Sequence, residues 1–408
     1  MNYAIDNNIQ VNQSKLQVQS AEADLVQAKG SRLPNLSGSI SSSIQNEKKF
    51  ETDNTIAGWQ SNFGNSASIN SGVVLYKGGS ITQNIKKSEL SKEIALLNVS
   101  LAEKDITLAV VQAYLNILYA FENVEYYKDV VLLSQEQFNR ATLLHQAGSL
   151  SRRDVADMNA QHASDEYMLV QAENNLILRT TELKQILEIP VEVNFSIEVP
   201  DNLLYQMEPL PPIEVLFEFI LLTRPEMDIS NQQKRISEIS VAEARSGYLP
   251  NLTLNMSAGS NYKSNYASSY NLQMSNNFAQ SIGLNMTIPI FSRYENKTAV
   301  SKAIINDQIS QLTIHKTRNQ LLQIAERVYD DTRAGQQRYI SAIAQDKAIW
   351  ESYTLATEQY NMGMINTIEL LQIHNKYLSG RNELMQSKYT AILFKKILDF
   401  YMGIPVSL

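Results

Sequence analysis

Residues 249–262 read LPNLTLNMSAGSNY. Leu252, Leu254, Met256 and Ala258 alternate with Asn251, Thr253, Asn255 and Ser257. That period of two marks a strand with one apolar and one polar face. The Leu-Pro before it closes a preceding helix, because the residue ahead of proline is pushed out of the helical region. Downstream, Ile282, Leu284, Met286, Ile288 and Ile290 repeat the alternation with Asn285 and Thr287 between them. The pattern predicts two strands, about 251–263 and 278–291, joined by the polar connection Lys263–Asn277.

The same opening occurs once before. Leu33-Pro34-Asn35-Leu36 precedes Leu249-Pro250-Asn251-Leu252 by 216 positions. Leu75-Tyr76, Gly148 and Ile189-Pro190 return as Ile290-Phe291, Gly363 and Ile404-Pro405, each 215 positions on. Internal repeats decide an architecture before anything else does, and this unit is far longer than a solenoid repeat. The chain therefore reads as two half-modules, residues 1–192 and 213–408, joined by a proline-rich linker at 193–212. In the first half, Leu36, Ile40 and Ile44, then Ala67, Ile69, Val73 and Leu75, give a weaker alternation. It predicts strands about 35–50 and 62–77 around the connection Glu51–Ser61. Phe50, Trp59, Phe63, Tyr262, Tyr266, Tyr270 and Phe278 gather at these strand ends and connections.

Everything else has helical periodicity. Residues 80–146 contain neither proline nor glycine, and residues 293–362 contain no proline and only Gly335. Ile305, Ile309 and Leu312, then Leu321, Ile324 and Val328, recur at helical spacing. Nearly 70 residues at 1.5 Å each make a rod of about 100 Å, against a usual helix of about 11–12 residues. Each rod ends at a glycine turn, Gly148 or Gly363, and a second helix returns, Arg152–Leu187 or Thr367–Met402. Shorter helices, about Tyr3–Ser31 and Arg224–Gly247, lead into the strands.

The bulk chemistry narrows the class. Of 408 residues, 19% are charged and the net charge is −7, so no basic footprint for nucleic acid exists. The polar surface is Ser, Asn and Gln, which suits a wide aqueous space. There is no cysteine, which excludes disulfides, thiolate metal sites and cysteine nucleophiles. No run approaches the roughly 18 apolar residues of a transmembrane helix, and no signal peptide is visible after Met1. Strands of this length fit a tilted membrane crossing of about 9–11 residues, and the aromatics fit an interfacial girdle. The other reading is a soluble sandwich edge. Four strands cannot close a spanning barrel, and an open edge cannot sit in lipid. Spanning strands would have to be pooled from two, three or four copies.

The chain resembles the TolC-like outer-membrane efflux family. The carriers are GYLPNL (247–252) and SRLPNL (31–36), the strand ends VVLYKGG (73–79) and TIPIFSR (287–293), and the turns HQAGSLSRRDV (145–155) and NMGMINTIELL (361–371). LEIP (187–190), MGIP (402–405) and TRPEM (223–227) complete the set. The Asn/Ser-rich strands and NNIQV (7–11) are similar to Bacteroides-type members. The resemblance implies an α+β membrane protein in the bacterial outer membrane, a homotrimer pooling four strands per chain into a 12-stranded β-barrel. The barrel would continue into a long α-helical periplasmic barrel, with the linker in an equatorial belt. It implies a passive duct that exports small molecules such as drugs and toxic compounds. An inner-membrane pump would deliver them through a periplasmic adaptor of the membrane fusion protein class.

No residue constellation looks catalytic, so no enzyme activity is expected, and no cofactor or metal site either. His145, His162, His315 and His374 are scattered, and none has a His or Cys partner at ligand spacing. In the resemblance, the narrowest ring of the pore falls at the helix-turn tips. Acidic positions map to Asp154 and Glu369, and a ring of carboxylates favours cations. A second acid of the family is replaced by Gln372, and a basic latch by Ile365, leaving Arg152 and Arg153 as an alternative latch to Glu369. The simpler reading of Asp154 and Glu369 is an acid in a helix's first turn, favoured by the helix dipole. Gly148, Ser149, Leu150 and Ser151, with Gly363, Met364 and Ile365, are assigned to adaptor docking, or else to purely structural turns. Rival readings are a soluble coiled-coil scaffold, which sustained heptads with charged flanks would support, and a same-fold duct for protein secretion or metal efflux.

Overall fold

The computed structural model describes residues 1–50, 56–200 and 208–405. Element order is α1 (Asn2–Asn7), α2 (Ile9–Gly30), β1 (Asn35–Phe50), β2 (Ile56–Lys77), α3 (Ser80–Gln146), α4 (Arg152–Ile186), α5 (Ile213–Thr223), α6 (Pro225–Ser246), β3 (Asn251–Lys263), α7 (Tyr270–Asn276), β4 (Ala279–Thr287), α8 (Glu295–Asn361) and α9 (Thr367–Tyr401). The long helices match in length, 67 residues each for α3 and α8 and 35 each for α4 and α9.

The strands form one antiparallel sheet in the order β1-β2-β3-β4. Register fixes its two faces. Ser39 pairs with Ser68, Ser68 with Gly259 and Gly259 with Ala279, so one face is built of small polar residues and glycine. Ile40 pairs with Ala67, Leu254 with Val73 and Leu284, and Met256 with Ile282, so apolar side chains line the other face.

Several elements differ from the sequence expectation. β2 begins at Ile56, not near 62, because β1 pairs with it out to Phe50. Gln60 and Ser61 are polar on both faces there and hide the alternation. Residues 51–55 of the first connection and the side chain of Phe50 lie outside the described set. β4 stops at Thr287, opposite Asn251, the first residue of β3. Pro250 ahead of β3 and Pro289 beyond β4 carry no N–H for a ladder. The expected helix Tyr3–Ser31 breaks at Asn8, whose backbone is extended (ψ 132). The Asn8 side-chain oxygen accepts from the amides of Gln10 and Val11 at 2.9 and 3.3 Å, capping α2. Pro225 opens α6 one residue beyond the expected start, since proline suits the first helical position. The second connection contains the short helix α7, held by Gln273, which donates to the Ser268 carbonyl at 2.7 Å.

The chain divides into two compact units that do not follow the sequence halves: Met1–Lys15, Leu97–Met227 and His315–Leu408 form one, Leu16–Leu96 and Asp228–Ile314 the other. The first is helical. Near the start of α4 and α9, Ala141, Met158, Tyr353, Ala356 and Leu370 are buried together, drawn from α3, α4, α8 and α9. Leu216 and Ile220 of α5 pack with Leu321, Ala325, Val328 and Leu398. Part of the linker also packs here: Ile197 and Val199 lie on Val111, Leu115, Leu118 and Ile392, and Tyr114 donates to the Glu198 carbonyl at 2.8 Å. Linker residues 201–207 lie outside the described set. The second unit holds the sheet with α2, α6 and the adjoining parts of α3 and α8. Lys234 of α6 donates to Asp307 of α8 at 2.9 Å, and Lys87 of α3 to Glu243 of α6 at 2.9 Å.

Candidate functional site

The two helix-turn tips share one backbone design. The Ser149 amide donates to the Leu144 carbonyl and the Gly148 amide to His145, both at 2.9 Å. The Met364 amide donates to Gln359 at 2.9 Å and the Gly363 amide to Tyr360 at 3.0 Å. This paired closure of a helix C-terminus requires a left-handed residue. Gly148 (φ 79) and Gly363 (φ 75) supply it, which glycine does without a Cβ penalty. His145 adds a brace at the first tip, its Nδ1 donating to the Leu150 carbonyl at 2.8 Å.

Each returning helix is then capped. Ser151 accepts from the Asp154 amide at 3.2 Å, and Asn366 from the Glu369 amide at 2.9 Å. Both acids thus occupy the first turn, where a carboxylate complements the helix dipole. The Ser151 hydroxyl donates back to Asp154 at 2.5 Å. That bond first, and the influence of the Thr367 hydroxyl second, hold the Asp154 carboxyl below the usual carboxylate range. Thr367 is the buried first residue of α9, so Asp154 is joined to the other tip. Glu369, Gln372, Arg152 and Arg153 are exposed. Arg153 lies 3.8 Å from Asp157 on its own helix, and no contact within the chain brings it to Glu369. Leu150 and Ile365 pack on the buried cluster behind the tips, while Ser149 completes the first turn and Met364 stays exposed.

The sheet gives the second functional surface. On its polar face Ser39 and Ser68, Ser41 and Ser66, and Ser257 and Ser281 make hydroxyl pairs at 2.8, 2.8 and 2.7 Å. Among the described side chains of that face, charges stand only near the strand ends: Glu47 and Lys263 at one, Lys77 at the other. On the opposite face, Ile40 is 81% and Ile282 77% exposed, so none of the described residues covers these side chains. Aromatics rim one end of that face. Trp59 lies under the Lys48 ammonium at 5.3 Å, and Tyr262 stands between Phe63 at 6.3 Å and Tyr270 at 5.0 Å. No helix among the described residues is long and apolar enough to cross a membrane.

Sequence reasoning missed one feature of the helical unit. Asp165 of α4 and His374 of α9 are each 1% exposed and face one another, with Oδ2 and Nε2 3.5 Å apart. Their pairing follows from how α4 and α9 pack, and no local motif signals it.

The profile of the family described as "Outer membrane efflux protein" matches residues 1–187 and 217–393. No curated protein matches the chain in sequence. Solved structures do match in fold. The chain is similar to CusC, with 16% identity over 100% of this chain and 91% of that one and a TM-score of 0.82. It is similar to the Campylobacter jejuni CmeC outer membrane channel, with 20% identity, coverage of 98% and 84%, and a TM-score of 0.76. It is also similar to the open state of the Neisseria gonorrhoeae MtrE outer membrane channel, with 16% identity, coverage of 99% and 87%, and a TM-score of 0.80.

Proposed function

This chain belongs to the outer membrane efflux protein family, and from that premise we propose that three copies form a passive duct for small molecules. Its cellular place is the outer membrane. The single observation that carries the duct reading is the two-faced sheet. β1 and β4 are its outer strands, and neither has a second neighbour among the described residues. An open edge in hydrocarbon leaves several kcal/mol per unpaired backbone group, so the outer strand of one copy pairs with that of the next. The uncovered apolar face then meets lipid, the aromatic rim sits at its interface, and the serine-lined face becomes the lumen. Three copies give the 12-stranded barrel that the family resemblance implies.

The helical unit is the periplasmic part, and the tips belong to it. Asp154 and Glu369 from three chains would set an acidic ring, with Gln372 beside it and Arg152 and Arg153 at its rim. Gly148, Ser149, Leu150 and Ser151, with Gly363, Met364 and Ile365, would receive a periplasmic adaptor that links the duct to an inner-membrane pump. The pump supplies the energy. Drugs and other toxic compounds of small size are the proposed cargo, which a hydroxyl-lined face with charges only near the strand ends would pass, the acidic ring favouring cations.

Cells lacking the chain should accumulate more of a cationic dye such as ethidium than cells that carry it. Equal accumulation in the two strains, with the protein present in the outer membrane of one, would contradict the small-molecule reading.

A further inference from the structure

We propose that Lys77, taken from three copies, forms a cationic ring where the barrel meets the helices, and that this ring makes the stretch favour anionic solutes. The ring rests on the duct reading above and adds the charge class that the barrel prefers.

A bulge puts Lys77 on the lumen face. Along β2 the polar face carries Ser66, Ser68, Asn70 and Gly72, opposite Asn261, Gly259, Ser257 and Asn255 of β3. Unbroken alternation would continue through Val74 to Tyr76, and would aim Lys77 at lipid. The register instead shifts between Val74 and Tyr76, which leaves Leu75 without a partner on β3. Beyond the shift Tyr76 pairs with Leu252 and Lys77 with Asn251. Leu252 stands opposite Met286, and Asn251 opposite Thr287. Tyr76 therefore joins the apolar row and Lys77 the polar one. Re-aiming a side chain in this way is a recurrent use of a bulge.

The charge is unbalanced at its place. Lys77 is exposed and, unlike Lys87 with Glu243, makes no ion pair among the described residues. Its surroundings have the same sign. The four strand–helix junctions, residues 31–35, 76–82, 245–251 and 287–297, hold Arg32, Lys77, Arg245, Arg293 and Lys297 but a single acid, Glu295. These junctions touch one another. Arg32 donates to Thr82 at 3.3 Å, and Asn296 donates to the Gly247 carbonyl at 2.6 Å. A Cβ on Gly78 would lie 2.7 Å from the Ser246 carbonyl oxygen. The chain as a whole carries −7, so the excess of cations is local to this level of the sheet.

Magnitudes decide what such a ring can do. Twelve strands about 4.8 Å apart and tilted about 40° close at a backbone radius of about 12 Å, so an inward ammonium stands roughly 6–12 Å from the axis. Three such charges enrich a monovalent anion on the axis about three- to fivefold at low salt, where the Debye length is about 30 Å. At physiological salt the Debye length is about 8 Å and the enrichment falls below about twofold. The ring thus biases traffic by charge without barring a bulky cation. Rings of charged side chains act as filters of this kind.

The test is planar-bilayer recording of the full-length protein in which Asp154→Asn and Glu369→Gln have removed the acidic carboxylates of the tips. The anion-to-cation permeability ratio is read as a reversal potential in a dilute salt gradient. Adding Lys77→Gln should lower that ratio at least about threefold, and the loss should shrink as salt is raised. The chain has no cysteine, so Lys77→Cys gives a second reading on one folded protein. A cationic methanethiosulfonate should restore the anion preference, and an anionic one should turn it toward cations. Unchanged selectivity in Lys77→Gln, or a thiol that neither reagent reaches, overturns the ring and leaves the duct. No current from any variant or from wild type overturns the duct and the ring together.

Discussion

The hydroxyl of Thr367, the first residue of α9, is among the groups that lower the Asp154 carboxyl in the first turn of α4, so one side-chain relationship links the two tips. Thr367→Val keeps the volume and deletes the donor. Asp154 is only partly covered, so the loss is discounted to about 0.5–1 kcal/mol. That corresponds to a shift of about two- to fivefold toward the open tip. Single-channel recording should show higher open probability, and an unchanged value would remove Thr367 from the gate. Asp154→Asn with Glu369→Gln should also lower the cation-to-anion permeability ratio, read as a reversal potential in a salt gradient.

The same relationship has a pH signature. The Ser151 and Thr367 hydroxyls depress the Asp154 carboxyl, so its contribution is complete above the usual carboxylate range. It is lost only as pH falls through the depressed value. Protection of the α4 amides against hydrogen exchange, corrected for the intrinsic rate, should stay constant from neutrality to mild acid and drop below the usual carboxylate range. A drop centred near neutral pH would assign the contact to another group.

Ser151 and Asn366 cap the helices that carry the two acids. Ser151→Ala and Asn366→Ala should each cost about 1 kcal/mol locally. Hydrogen exchange should accelerate in residues 152–156 and 367–371 respectively, while the buried cluster around Leu370 and Met158 stays protected. Uniform acceleration along both helices would show that the caps are not local.

The two sheet faces should respond oppositely to charge. Ile40→Lys places an ammonium on the apolar face and should cost about 2–4 kcal/mol at the membrane midplane, so less protein reaches the outer membrane. Ser68→Lys lies on the polar face and should assemble normally while shifting ion selectivity toward anions. Normal assembly of both would mean that the apolar face does not meet lipid. Gly259 is a steric control on the same sheet, since a Cβ there would lie 2.7 Å from the Ala67 carbonyl oxygen.

The legibility of the chain followed the range of the interactions involved. β3 was readable because its two faces differ in polarity at every step from Asn251 to Ala258. The long helices were readable because nothing interrupts them. α5 was not, because IEVLFEFILLT is only 11 residues long and apolar over most of its length. α7 was hidden by its seven residues, and the break at Asn8 by a cap that needs only one side chain. At the tips, the turn glycines and caps are local and were visible. The latch from Arg152 and Arg153 to Glu369 came from mapped positions and stays a proposal; within one chain Arg153 stands by Asp157 one helical turn away. The Asp165–His374 pair spans two helices far apart in sequence, and no periodicity reports it.

The central claim is that this chain spans the outer membrane only by pooling strands with its copies. Light-scattering mass of the purified protein, in detergent and without it, tests that most directly. The account predicts a protein mass near three times 46.0 kDa that needs detergent to stay dispersed. A monodisperse particle of one or two chains, stable without detergent, would contradict it.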